Sequence, residues 1–594
     1  MIPMLEKRLS SALQAQFALL ILGLVTWSGV IHGGTVSHDT SWLMRDNPIL
    51  SSGSLHWLPT IWTDFSIDVR HVLGAEFLPV RDTDILIDFK LFGDNWALHH
   101  AGNLIWYLVG CGLFLSICRR ILGPGLISWT AAALFCVHPL HTQNVAWLAG
   151  RKDLLGLVFF LAAWRLWLIN VSRERSTAPV FLLFIVGVWS KNTTIVLPAV
   201  LVLSDLILHE KRPTFRWKHW GLWGAAALPL VALSTQLGKQ MRLFGEPHYE
   251  GVANGMTLQV QLWFQDLGHL FWPHNLAINY PAPESAPLFS LAIMVSLLAG
   301  LAGLAWRFRK TNRVVSLGIG VFFVCSLPTT AFNQLQNLSA DRYLLLPSLG
   351  IALFMGALLH VMEPRSKRLL QGVLLVSILA LSWRSQVESR VWRSDLNLWS
   401  SATRAQPRAL SNWTGHARAL RASGRSEEAL ELLTSTQDRF GENPLYFQSL
   451  GALYLHHNEL ESAEQHYRKA LSINPQLRIS GNDLAILLSR TGRLEEALPI
   501  AKRMTKAHPG YSKGFNTLGA LLLDARELDA AESALLQAES MEFENARAAC
   551  NLGGVYWLKM QDDPSMRPAA EWWWTQCKRR DPTATVPPGL QLAL

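Results

Sequence analysis

Apolar residues dominate the first part of the chain in long blocks, and this pattern governs how the rest is read. The blocks fall at about 13–34, 99–118, 125–141, 153–170, 178–191, 194–209, 219–237, 286–306, 314–332, 342–361 and 368–386. A helix needs roughly 20 apolar residues to cross the hydrocarbon layer of a membrane. The pattern therefore predicts about eleven spanning helices. The first block resembles a signal-peptide core, but it is long, lacks a clear small-residue cleavage site and precedes many further blocks, so it reads as an anchor. The stretch 258–273, LQVQLWFQDLGHLFWP, differs in kind. It is short and amphipathic, which predicts an interfacial or re-entrant helix.

Beyond Glu388 charges become frequent and the leading signal is internal repetition. Leu450, Gly451, Tyr454, Ala463, Tyr467, Ala470 and Pro475 form a spaced set that returns about 34 residues later as Leu484, Ala485, Leu488, Ala497, Ala501 and Pro509. The next step of that period gives Leu518, Gly519, Leu522, Ala531, Leu535 and Ala538, and one step back stand Ala417, Leu420, Ala429 and Leu433. The set is similar to the tetratricopeptide (TPR) consensus, in which small residues let the two helices of a repeat approach closely. A fifth unit (Leu552, Gly553, Tyr556, Ala570, Trp574, Pro582) fits with an insertion around QDDPSM. Four to five stacked hairpins are expected, forming a solenoid whose concave face suits an extended peptide or serves as an assembly surface. The chain then divides into a membrane domain at 1–387, a linker at 388–407, repeats at 408–583 and a tail at 584–594.

Charge placement adds an orientation. Half the residues are hydrophobic and 16% are charged, and many of the 25 Trp sit at block ends, as Trp27, Trp147, Trp189, Trp272, Trp306 and Trp383 do. The net charge of +9 would suit nucleic acid, but the basic clusters lie between apolar blocks, so no nucleic-acid partner is expected. Lys7 and Arg8 put the N-terminus in the cytoplasm. Arg119–Arg120, Arg173/Arg175, Lys211/Arg212/Arg216/Lys218, Arg307/Arg309/Lys310/Arg313 and Arg365/Lys367/Arg368 share that side if 258–273 does not cross. Eleven spans then place both the long loop 35–98 and the repeats outside. The compact chain suggests a bacterial inner membrane, although an endoplasmic reticulum protein would look similar. Of six Cys, four lie in or beside apolar blocks, while Cys550 and Cys577 are able to pair in an oxidising compartment. No Cys/His zinc spacing occurs, so no metal site is announced.

Polar residues at membrane depth or at its outer edge are suspected of function. The densest group is His138, His141, Gln143, Asn144, Arg151, Lys152 and Asp153. Arg81 with Asp82, Lys191 in WSKNTT, and Asp341, Arg342 and Tyr343 in SADRYLLLPS fall on the same expected side as Asp39. Cations of this kind with a carboxylate nearby suit a membrane-tethered phosphate substrate. The cations hold the phosphate and the carboxylate takes a proton from an attacking hydroxyl. Each block also has a structural reading, as a helix joint, a turn or a salt-bridge corner.

HDTSWLMRDNP, FLPVRD, LHHAGN, FCVHPLHTQNVAWLAGRKDLL, SKNTTIVLP, ADRYLLLPSLG and the terminal repeats occur in an order that resembles the transmembrane and TPR-containing relatives of protein O-mannosyltransferases, over about residues 20–580. The resemblance implies an all-α fold: a polytopic GT-C-like bundle followed by a TPR α-solenoid. It implies an inverting transfer of a sugar, mannose at family level, from a polyprenyl-phosphate donor to a protein Ser/Thr hydroxyl on the extracytoplasmic face. Asp39 is then the expected base. Arg81, His138, His141, Arg151, Lys152, Lys191 and Arg342 are expected to contact the donor. No cofactor is required beyond the lipid-linked sugar, and a divalent metal stays open. The chain departs from the family at Thr40, Gln143 and Asn192, where relatives carry acids, and at Tyr107, where they carry His. Those departures keep a second reading in play: a non-catalytic membrane TPR scaffold of an envelope complex.

Overall fold

A computed structural model of the chain describes residues 11–37, 40–74, 76–171, 176–208, 251–283, 288–331, 337–362, 364–541 and 546–587. Among these residues the regular structure is helical and no strand occurs. Asp39, the block 219–237 and the basic clusters at Lys7/Arg8, Arg173/Arg175 and Lys211–Lys218 lie outside the described residues. The chain divides into two compact units: residues 1–65 with 72–412, and residues 413–594 with 66–71.

In the first unit five helices are long and apolar enough to cross a membrane: Ala12–His32, Trp96–Ile121, Leu148–Asn170, Leu288–Phe308 and Ser366–Val391. The other expected spans that are described are apolar but shorter, at 10–17 residues: Leu126–Cys136, Ala178–Ser190, Asn192–Leu208, Arg313–Thr329 and Pro347–His360. Helix length by itself supports five spans among the described residues, and the expected count of about eleven is not confirmed. Prolines mark several of the breaks. Pro139 opens a 3-10 turn after Leu126–Cys136, Pro328 lies in another after Arg313–Ser326, and Pro347 starts the helix after Asp341–Leu344. The stretch at 258–273 belongs to a longer helix, Gly251–Phe271. It buries Leu258 and Leu262 against Ala331 and Leu338, and Leu270 with Leu140, Phe322 and Leu344, while Phe264 and Phe271 stay exposed.

The solvent logic of this unit is inverted. On Pro364–Val391, Leu369, Val373, Val376, Leu379 and Trp383 are exposed, whereas Ser382, Ser385, Glu388 and Ser389 are buried. Ser385 donates to the Val137 carbonyl at 2.7 Å, and the Ser382 and Thr26 hydroxyls lie 2.6 Å apart. Leu288–Phe308 buries no residue at all. Apolar faces turned outward over polar inner contacts suit lipid as the surrounding solvent.

One end of the bundle gathers distant chain segments. The Ser37 N–H donates to Asp395 at 2.8 Å, and Trp147 Nε1 donates to Ser37 Oγ at 2.9 Å. Trp147 also faces Trp392 at 6.4 Å. The expected linker at 388–407 is helical: it comprises the end of Pro364–Val391 and a further helix, Asp395–Ala405. Ser394 caps that helix by accepting from Asn397 N, and Leu398, Trp399 and Ala402 give it a buried face.

The second unit is built of helix pairs. Leu410–Ala422 precedes Ser426–Thr434, and Pro444–His456 pairs with Leu460–Ile473. Arg478–Arg490 pairs with Leu494–Ala507, Ser512–Asp524 with Leu528–Met541, and Ala546–Asp562 with Arg567–Arg580. Close approach explains the glycines at the repeat positions. A Cβ on Gly451 would lie 2.8 Å from the Tyr467 ring, and one on Gly519 would lie 2.4 Å from Leu535. The turns within the pairs pass through left-handed residues Gly424, Asn458, Gly492 and Arg526, which recur at the repeat period. The last pair lacks that turn. Its first helix runs on to Asp562 and a 3-10 turn at Pro564–Met566 takes up the inserted residues. Cys550 and Cys577 form a disulfide across this pair.

Candidate functional site

The polar blocks of the first unit meet where short helices give way to 3-10 turns. Asp341–Leu344 is one such turn, and Gln143 holds it by accepting from the Arg342 N–H at 2.9 Å. Asn144 donates to the Arg342 carbonyl at 3.5 Å, and Asp341 accepts from the Tyr280 hydroxyl at 2.6 Å. The Arg342 guanidinium stands 5.5 Å from the Trp147 ring and 4.8 Å from the Tyr343 ring. Among the described residues it has no carboxylate partner within ion-pair distance. Gln143 and Asn144 thus hold the Arg342 backbone, while Gln143 Nε2 and Asn144 Oδ1 are buried without a partner among the described residues.

Arg151, Lys152 and Asp153 open helix Arg151–Val171 and diverge to separate partners. Arg151 pairs with Asp84, with Asp88 at 2.7 Å and with Asn103 at 2.5 Å. Lys152 reaches Glu76 at 2.5 Å. Asp153 reaches Lys191 at 3.1 Å, and its second oxygen is buried without a partner among the described residues. Lys191 lies in extended backbone between Ala178–Ser190 and the 3-10 turn Asn192–Val196. It is seated against Gly156, where an added Cβ would come within 2.9 Å of the Lys191 Cβ.

A small cleft lies between these groups. Lys191, Arg342, Asp153, Thr193, Thr194, Thr329 and Tyr343 form its polar lining, and Leu157, Cys325, Leu345 and Leu346 its apolar wall. Two cations, several hydroxyls and an aliphatic wall are the lining chemistry that an anionic head group on a hydrocarbon chain calls for.

The other expected ligand contacts are engaged within the protein. Arg81 donates to Asp82 at 2.7 Å, to Glu76 at 3.3 Å and to the Leu73 carbonyl at 2.6 Å, with 1% of it exposed. Arg151 is equally buried, so both guanidiniums act as internal ties in this structure. His138 accepts from the Leu140 N–H on Nδ1, which leaves its Nε2 as donor to the Leu270 carbonyl at 2.9 Å. That is a neutral imidazole joining two segments. His141 lies 2.7 Å from the Tyr107 hydroxyl and 3.0 Å from the Ser348 hydroxyl, again as a joint. Of the expected donor contacts the structure gathers Lys191 and Arg342 in the cleft, with Lys152 one ion pair away.

Two features were not singled out from sequence. Glu76 stood in the loop as one acid among many, yet it is the hub of the neighbouring ion pairs. Burial pushes its pKa up, but Lys152, Lys191 and Arg81 outweigh this and bring it down to about 2. Its place shortly before Arg81 was the available signal. The second feature is Ser41–Arg45, a π-helical turn directly after Asp39 and Thr40. Such turns are frequent at functional sites. Thr40 at its start is buried, and its hydroxyl has no partner among the described residues. Among the described residues no three His, Cys, Asp or Glu side chains converge to hold a metal ion.

Comparison with known proteins finds similarity to both parts of the chain. A tetratricopeptide-repeat family model matches residues 414–477. Human protein O-mannosyl-transferase TMTC3 is 23% identical, over 90% of this chain and 65% of its own length. Human TMTC1 is 23% identical over 71% of this chain and 54% of its own, and F38B6.6 of Caenorhabditis elegans is 22% identical over 68% and 59%. The chain thus spans less than two thirds of the length of these relatives. Among solved structures, the TPR protein YrrB matches 31% of this chain and 93% of its own at 18% identity, with a TM-score of 0.26. Over most of its length the chain is similar, at 22–24% identity, to proteins named protein O-mannosyl-transferases.

Proposed function

We propose that the chain is an integral-membrane glycosyltransferase that moves a sugar, mannose by the names of its relatives, from a polyprenyl phosphate to a protein Ser/Thr hydroxyl. The observation that carries this reading is the cleft, in which Lys191 and Arg342 stand beside an aliphatic wall. Lys191 and Arg342 hold the donor phosphate, with Thr193 and Thr194 as further donors. Leu157, Leu345 and Leu346 receive the first isoprene units. Asp39 takes the proton of the acceptor hydroxyl. Its oxygen forms the new bond to the anomeric carbon as the bond to phosphate oxygen breaks, and polyprenyl phosphate leaves. One displacement inverts the centre. The repeats bring the acceptor polypeptide.

Supporting an extracytoplasmic site is the disulfide Cys550–Cys577, which belongs to an oxidising compartment. The chain leading into the repeats leaves the bundle at the end where Ser37 meets Asp395, close to Asp39 in sequence. A scaffold reading draws on other observations. Thr40, Gln143 and Asn192 stand where the family resemblance implies acids, and Arg81 and Arg151 are tied inward.

Transfer of labelled mannose from polyprenyl phosphate, measured in membranes at matched protein level, separates the two. Asp39→Asn is expected to lower the rate by roughly 10²–10⁴-fold. Arg342→Met is expected to raise the KM for donor. Undiminished transfer in Asp39→Asn, or none by the wild-type protein with any polyprenyl-phosphate sugar, sinks the enzyme reading and leaves the scaffold.

A further inference from the structure

Asp153 is the acid in the lining of the cleft, and a carboxylate repels the phosphate that Lys191 and Arg342 are placed to hold. Its position is nevertheless built. Gly156, one turn further along the same helix, lets the chain at 191–194 come in close. An added Cβ there would lie 2.9 Å from the Lys191 Cβ and 3.1 Å from Thr194 Cγ2. The Thr194 hydroxyl donates to the Lys191 carbonyl at 2.8 Å and holds that turn together. Lys191 Nζ then stands 3.1 Å from Asp153 Oδ1.

This ion pair uses half of the carboxylate. Asp153 is 8% exposed, and its Oδ2 is buried with no hydrogen-bond partner among the described residues. A tie between helix and turn needs only the first oxygen, and leaving the second bare in a buried place carries a desolvation cost. A carboxylate paired with an ammonium accepts hydrogen bonds and donates none, so the group that completes Oδ2 brings an O–H or N–H. A phosphate brings neither.

A sugar joined to that phosphate does. It is linked through its anomeric carbon, and the hydroxyl on the neighbouring carbon lies within a few bonds of the phosphate oxygens. Lys191 carries further N–H groups beyond the one that Asp153 takes, and these are free to meet the phosphate. We propose that Asp153 is a specificity-determining residue for the donor. Its Oδ2 accepts from the sugar hydroxyl next to the anomeric carbon, while Lys191 bridges the carboxylate and the donor phosphate. Arg342 carries the phosphate charge, and Asp153, neutralised by Lys191, does not oppose it. The cleft thereby selects a glycosyl phosphate with a hydroxyl at that carbon over one that lacks it. This assignment rests on the proposed reading of the cleft as a donor site.

The test reads binding and needs no turnover. Full-length protein in lipid nanodiscs is titrated with farnesyl phosphate, with its mannosyl diester, and with the same diester lacking the 2-hydroxyl. Wild-type protein is expected to bind the mannosyl diester roughly tenfold more tightly than the deoxy diester, the range of one charge-assisted hydrogen bond. Asp153→Ala is expected to bind the two diesters within about twofold of each other, and farnesyl phosphate alone roughly threefold more tightly than wild type, because Lys191 is released to the phosphate. A variant that had merely lost structure would weaken on all three probes, so the opposite signs separate the two causes. Asp153→Asn keeps an oxygen acceptor without the charge and is expected to discriminate about threefold. Arg342→Met is expected to weaken all three probes alike and to keep the wild-type ratio between the diesters. Equal binding of both diesters by wild type, wild-type discrimination in Asp153→Ala, or binding of neither diester overturns the proposal. Discrimination that depends on Asp153 in a protein that transfers no sugar would remove the transferase reading alone. Full discrimination in an active Asp153→Ala would remove this assignment and leave that reading in place.

Discussion

Glu76 sits between three cations, and its charge state reports whether the ion-pair hub is intact. Its pKa in the folded protein, about 2, lies below the ordinary 4.5. The stability it contributes is therefore complete above 4.5 and is lost as pH falls through about 2. Glu76→Gln is expected to lower stability near neutral pH by about 2–3 kcal/mol and to flatten the acid limb of the melting profile in that window. An unchanged acid limb would remove Glu76 from the hub. Asp341 behaves in the opposite sense. Burial first, with the charges of Glu388 and Asp266, holds its pKa up at about 8 against an ordinary 3.8, although Tyr280 and Arg342 oppose this. The folded protein keeps Asp341 protonated while the unfolded chain ionises, so stability falls as pH rises from 3.8 to about 8 and is level above it. Asp341→Asn keeps an acceptor for Tyr280 and is expected to melt above wild type by a margin that widens toward pH 8. A constant margin would show that Asp341 is ionised throughout. Residue chemistry at this scale was only partly legible. Lys191 and Arg342 could be picked out, but nothing local in the sequence tells that Arg151 is consumed by Asp84 and Asp88, which lie far back along the chain.

At the scale of elements the repeats were the most legible part, because a period of about 34 residues fixes both helices and the small residues between them. The turn residues go further. Gly424, Gly492 and Asn458 suit the left-handed conformation, while Arg526 occupies it at φ 65° with a side chain that disfavours it. Arg526→Gly is expected to raise stability by roughly 0.5–1 kcal/mol in denaturant melts, and a loss of stability would mean that the Arg526 side chain holds the turn. Gly519→Ala is expected to do the reverse, costing roughly 1–3 kcal/mol, since its Cβ would press on Leu535. The membrane helices were legible in position but not in length. Their apolar blocks run on through Pro139, Lys191 and Pro347, where the chain turns into 3-10 geometry to build the cleft. Hydropathy averages over such breaks. The helix at Asp395–Ala405 was missed for the opposite reason. It is short, and its sequence is polar enough to read as linker until the burial of Leu398 and Trp399 is seen.

For the whole molecule, the sidedness of the site and of the repeats is the claim that everything functional needs. Exposed leucines over buried hydroxyls fix the first unit in lipid, but this pattern is the same whichever way the bundle is inserted. The proposed extracytoplasmic orientation draws instead on the sulfur chemistry. Cys111, Cys118, Cys136 and Cys325 are buried thiols in the bundle, whereas Cys550 and Cys577 are joined in the repeats. A disulfide of this kind persists only where thiols are not continually reduced. Closing the loop between its two cysteines contributes roughly 2–4 kcal/mol, and that contribution belongs to the last helix pair alone. Cells treated with a membrane-impermeant reductant and then with an impermeant maleimide are therefore expected to gain two labels on intact cells. Cys550→Ser/Cys577→Ser is expected to gain none and to melt its last repeat at lower denaturant. Labelling that appears once the cytosol is opened with internal membranes left intact would put the repeats, and with them the loop after the first anchor, in the cytosol. There neither a lumenal donor nor a secreted acceptor would reach Arg342.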